Sequence, residues 1–97
     1  MRDFILLMHD DAVASIAPDM WNSYFSFLRG KGAFDGGSAI GVGQTFRKQG
    51  VPRLASEHLT GYIRVTAKSL EVAQELLSGN PVFECGGTVE IRELPRG

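Results

Sequence analysis

The amino-acid sequence predicts a small α+β domain, on three observations. The apolar run Phe4 to Met8 opens the chain, and Leu59 to Ala67 alternates apolar with polar residues. Two further segments repeat apolar residues at helical spacing. The 97 residues leave room for a single domain, 1–97, since domains run to about 100–200 residues. With 43% hydrophobic and 22% charged side chains and a net charge of −1, the composition is that of a folded chain.

Phe4-Ile5-Leu6-Leu7-Met8, closed by His9-Asp10-Asp11, suits a central strand covered on both faces. Ala17-Pro18-Asp19 then sets a proline at a first helical position and an acid at the positive end of the helix dipole. Met20, Trp21, Tyr24, Phe25, Phe27 and Leu28 follow at helical spacing, and Gly30 and Gly32 stop the helix. Ser38 to Gln44 places Ile40 and Val42 on one side and small residues on the other, predicting a strand with a nearly bare face. Bare backbone of this kind allows another backbone, a helix or a ligand to come close. Phe46 to His58 holds Arg47, Lys48 and Arg53 with Gly50 and Pro52, has no sustained period, and reads as a basic loop or a loose hairpin return.

In the next strand Leu59, Gly61, Ile63, Val65 and Ala67 face one way, and Thr60, Tyr62, Arg64 and Thr66 the other. Ser69 offers an N-cap oxygen to a second helix through Leu70, Ala73, Leu76 and Leu77, ended by Gly79-Asn80-Pro81. Thr88 to Leu94 alternates again and Pro95 closes it, giving a last strand. The order strand, helix, strand, strand, helix, strand is the ferredoxin-like βαββαβ arrangement, a four-stranded antiparallel sheet with helices on one face. Leaving apolar residues of the other face in water costs about 25 cal/mol per Å². A chain this short also buries a smaller share of its surface than a long one, and a lone Cys85 forms no internal disulfide. A homodimer that buries the helix-free face is therefore expected.

Charge narrows the partners. Ten Lys+Arg against eleven Asp+Glu remove the broad positive footprint of a nucleic-acid binder. No apolar run approaches the roughly 20 residues that span a bilayer, so no membrane partner is expected. Phe4 to Met8 is too short for the core of a secretory signal, and a cytoplasmic location is the expectation.

His9 carries the sharpest functional cue, because an imidazole beside a carboxylate serves as a general base. Asp10 and Asp11 follow it directly, but neighbours on a strand point to opposite faces, so its carboxylate is Asp10, Asp11 or Glu57. The competing reading is a turn histidine with two acids opening the next segment. His58, next to Glu57, either approaches His9 or lies at the opposite end of the sheet. The two histidines stand 49 residues apart, without the local spacing of zinc sites, and no metal is expected. Tyr62 and Arg64 share a strand face, as do Glu90 and Arg92. This polar row either lines a cleft, with Arg64 clamping an anionic group of a small molecule, or forms cross-strand charge pairs on a wet surface. Gly41-Val42-Gly43 lacks the third glycine of a dinucleotide fingerprint, where Phe46 stands, and no cofactor is expected. Cys85 has no base near it in sequence and reads as a passive small residue.

The layout resembles the YCII-related proteins, a branch of the dimeric α+β barrel superfamily. The resemblance covers nearly the whole chain. It rests on Phe4 to Asp11, on Gly32-Ala33-Phe34-Asp35-Gly36-Gly37 leading into strand two, and on Leu59-Thr60-Gly61-Tyr62-Ile63-Arg64-Val65. It also rests on Asn80-Pro81-Val82-Phe83 and Gly86-Gly87-Thr88-Val89-Glu90-Ile91-Arg92-Glu93-Leu94. A large subgroup carries Asp-Gly-Pro-Phe before the Gly-Tyr strand, where this chain reads Val51-Pro52-Arg53-Leu54-Ala55-Ser56-Glu57. Only Glu57 matches the acid usual there, so no role of that motif carries over. The resemblance implies a dimeric α+β barrel. Some relatives hold a His-Asp pair in a cleft read as an active site, and the resemblance bears on the fold much more than on a reaction. The functional expectation is a small-molecule enzyme using a His/carboxylate pair, with Glu57, His58, Tyr62 and Arg64 binding the ligand, or else a non-catalytic binding or interaction module.

Overall fold

The computed structural model describes residues 1–97. Four strands, β1 (Arg2–His9), β2 (Phe34–Ala39), β3 (Leu59–Ala67) and β4 (Val89–Leu94), form one antiparallel sheet in the order β2-β3-β1-β4. The helices are α1 (Pro18–Gly30), α2 (Leu70–Glu75) and α3 (Pro81–Glu84). This α+β architecture is compatible with a ferredoxin-like fold. No helix is long and apolar enough to cross a membrane.

Alternation decides which face each strand buries. Phe4, Leu6 and Met8 of β1 and Ile63, Val65 and Ala67 of β3 pack against Tyr24 and Leu28 of α1 and Ala73 of α2. Tyr24 is fixed at depth, because its hydroxyl donates to the Leu76 carbonyl at 2.7 Å. The opposite face bears no helix, and there Ile5, Leu7 and Tyr62 are half-buried among Thr60, Arg64, Glu90 and Arg92. β1 is central as its apolar run predicts, and apolar on both sides, but the helices cover only one.

Two boundaries differ from the sequence reading. Strand two is Phe34–Ala39, not Ser38 to Gln44. β3 starts at Leu59, so the pairing ends with Ala39 opposite Gly61 and one further bond, Ile40 N–H to Thr60 O, and nothing remains for later residues to pair with. The close backbone approach expected of the glycine cluster occurs at Gly37, where a Cβ would stand 2.6 Å from the Tyr62 carbonyl oxygen. The second helix is short, and Gly79-Asn80-Pro81, read as a stop, is also a start. Asn80 Oδ1 accepts from Phe83 N–H at 3.1 Å and Pro81 takes the first helical position, giving α3.

Between β2 and β3, residues 40–57 form an extended arm. The Thr45 hydroxyl donates to the Arg53 carbonyl across its two limbs, and Gly50 takes a positive φ of 82° near the tip. The arm gives the molecule extents of 47 × 37 × 19 Å and a radius of gyration of 14.8 Å, against about 12.5 Å for a compact chain of this length.

Candidate functional site

The site lies at the C-terminal end of β1 on the helix-free face. Met8 turns into the core, so alternation delivers His9 to the open face, and an irregularity in the β1–β3 register falls between these two residues. On the other side β4 places Glu90 opposite Leu7, which brings its carboxylate diagonally to His9. His9 Nε2 stands 3.2 Å from Glu90 Oε1, with 21% of the His9 side chain exposed. The His58 ring meets His9 edge-on, with ring centroids 4.7 Å apart. The backbone locks this corner, because Asp10 N–H donates to His58 O at 2.9 Å and His9 N–H to Thr88 O at 3.0 Å.

Electrostatics order the pair. Arg92 Nη1 donates to Glu90 Oε2 at 3.1 Å, and this bond first, with the His9 contact second, holds the Glu90 carboxyl below its ordinary value. An ionised Glu90 accepts the proton of His9 Nε2–H, which leaves the Nδ1 lone pair as the basic site.

The structure separates the candidate acids. Asp11 is taken by Thr88, whose hydroxyl donates at 2.6 Å and whose N–H donates at 2.7 Å. Those bonds, the hydroxyl's first, hold its pKa below the usual value. Asp10 is exposed and bonds His58 only through its backbone, and Glu57 is exposed at the base of the arm. The carboxylate on His9 is therefore Glu90 and none of Asp10, Asp11 or Glu57. Strand neighbours diverge, whereas adjacent strands bring distant residues together. Sequence reasoning placed Glu90 on the polar row and missed its partner. The signal was available in the ferredoxin-like order, which sets β4 beside β1.

His58 approaches His9, but Arg64 does not. Arg64 sits opposite Ile5, four residues and about 13 Å along β1 from His9, and its Nε lies 3.7 Å from Asp35 Oδ2 across the strands. Tyr62 is nearer, opposite Leu7 and half-buried on the same face. A cavity of about 470 Å³ opens beside this corner, lined by Ile40, Val42, Ala55, Glu57, Leu59 and Thr60 among others. Neither histidine lines it. No group of three or more His, Cys, Asp or Glu side chains is placed to hold a metal ion. Cys85 is buried, with its Sγ 3.6 Å from the Ser15 carbonyl.

No protein-family model matches the chain, and no curated protein matches it.

Proposed function

We propose that this chain is a YCII-like homodimer, a dimeric α+β barrel, that performs proton transfer on a small molecule with His9 as acid/base and Glu90 as its orienting carboxylate. The observation that carries this reading is the 3.2 Å contact between His9 Nε2 and a Glu90 carboxylate itself held by Arg92. A pair in which one carboxylate fixes the tautomer and steadies the imidazolium is the arrangement general acid–base chemistry uses. His58 and Tyr62 flank the reacting corner and supply ring and hydroxyl contacts to the ligand. The corner is shallow in one chain. A second copy packed on the helix-free face covers Ile5 and Leu7 and deepens the corner into a cleft.

The test begins with a thermal-shift screen of small metabolites, followed by turnover assays on the compounds that stabilise the protein. His9→Ala lowers kcat by about 10²–10⁴-fold with an unchanged melting temperature. Equal turnover by wild type and His9→Ala overturns the assignment, and a stable monomer at micromolar concentration in sedimentation overturns the dimer. The shallowness of the corner favours a second reading, a non-catalytic binding module. For that reading the hits bind, none is turned over, and His9→Ala changes affinity alone.

A further inference from the structure

The arm of residues 40–57 is the least economical part of the molecule as a single chain. Val42, Phe46, Val51 and Leu54 are each at least 86% exposed, and beyond its base the arm makes no hydrogen bond to the body. Apolar side chains concentrated on one projecting segment mark an interaction surface. The body offers a complementary vacancy. Between α1 and the β2–β3 edge lies a cavity of about 390 Å³, walled by Trp21, Phe25, Phe34, Met8 and Ile63, with Gly37 and Gly61 among the residues at its strand side. Trp21 and Phe25 stack at 5.8 Å and Phe34 meets Phe25 edge-on at 5.4 Å, so the walls are prearranged aromatic surface.

Charge points to the occupant. The arm carries Arg47, Lys48 and Arg53 against Glu57 alone, whereas the remaining residues hold seven Lys+Arg against ten Asp+Glu. The arm is thus net positive and the body net negative, and one chain supplies both, while the cation at the cavity wall, Arg29, lies 5.0 Å over the Phe34 ring. The arm leaves the sheet at Ala39, which itself lines this cavity, and returns at Leu59. Two copies related by a twofold axis exchange such arms reciprocally, each base lying next to the cavity that receives the other's tip.

We infer that residues 40–57 are an exchange arm whose apolar side chains seat in the aromatic cavity of a second copy of this chain. The inference rests on the homodimer reading and adds to it a specific contact. Trp21 is the only tryptophan, so its emission reports on the cavity. The full-length protein and its Phe46→Glu/Leu54→Glu double variant are compared by sedimentation and by Trp21 fluorescence. Both substitutions lie on the exposed arm, and circular dichroism checks that the fold persists. A Phe46→Leu variant keeps the apolar contact should the double variant misfold.

The expected result is a wild-type dimer whose Trp21 emission moves to the red on dilution into monomers. The double variant weakens the dimer by about tenfold or more and shows the red-shifted emission where wild type is paired, while Phe46→Leu behaves as wild type. A double variant that dimerises with unchanged affinity and emission overturns the arm exchange and leaves the dimer standing. A monomeric wild type overturns both. A dimer that binds anilinonaphthalene sulfonate at Trp21 as readily as the monomer has an open cavity, and also overturns the exchange.

Discussion

Glu90 Oε1 stands 3.2 Å from His9 Nε2 although 81 residues separate them, and Arg92, two residues further on, holds the other carboxylate oxygen. β4 thus brings to β1 both the acid and the cation that keeps the acid ionised. The imidazole meets a carboxylate whose other oxygen is held by Arg92, so an ionised Glu90 accepts the hydrogen of His9 Nε2.

The depressed Glu90 pKa has a consequence for acid stability. A carboxyl whose folded pKa lies below its unfolded one contributes stability that is fully present above the unfolded value, near pH 4, and is lost as pH falls through the folded value. Urea denaturation of wild type and Glu90→Gln from pH 7 to pH 3 therefore shows a wild-type advantage at neutral pH that shrinks in acid. A difference that stays constant across this range contradicts the ionic role of Glu90.

Asp11 and His9 separate stability from chemistry. Asp11 spends both oxygens on Thr88, tying the turn after β1 to the start of β4. Asp11→Ala lowers the melting temperature by a few degrees and leaves turnover near wild type, whereas His9→Ala lowers turnover. Thr88→Val combined with Asp11→Ala costs less than the two single changes summed, because they break one shared interaction. Additive losses show that the two residues act independently.

Much of this was legible beforehand, for physical reasons. α1, β3 and β4 announce themselves because burial on one face imposes a period, written in residues such as Leu59, Gly61, Ile63, Val65 and Ala67, whereas β1 is marked by its unbroken apolar run Phe4 to Met8. Strand two was misplaced because strand length is set by the available partner, and the glycines of residues 36–43 fit pairing and non-pairing backbone alike. The His9–Glu90 contact depends on the β1–β4 register, which no local pattern encodes. Arg64 forms a cross-strand charge pair, one of the two readings its strand face allows. Sharing a strand face with Tyr62 fixed its side of the sheet but not its distance from His9, and Asp35 is its neighbour instead.

Tyr24 links the core to alkaline stability. Burial pushes its phenol up to about 12, with the Asn80 side chain acting in the opposite direction. The folded state thus favours the neutral ring. Stability is complete below the unfolded value near pH 10 and falls as pH rises toward 12, by about 2 kcal/mol from this group. Tyr62→Phe leaves Tyr24 as the only phenol for an absorbance titration, which shows ionisation delayed to near pH 12. Tyr24→Phe strands the Leu76 carbonyl and costs about 1–2 kcal/mol at neutral pH.

Two glycines make opposite predictions from the same substitution. At Gly37 an added Cβ meets the Tyr62 carbonyl oxygen at 2.6 Å and Ile63 Cα at 3.1 Å, both backbone atoms of β3, so β2 must move off its neighbour. Gly37→Ala costs about 1–3 kcal/mol, in line with other forced overpacking. At Gly30, the last residue of α1, a Cβ meets nothing within 4 Å and the backbone φ is not positive. Alanine there stabilises by about 0.4–1 kcal/mol, because it reduces the freedom of the unfolded chain. Chemical denaturation of the two variants measures both signs. A Gly37→Ala protein as stable as wild type shows that β2 does not approach β3 this closely.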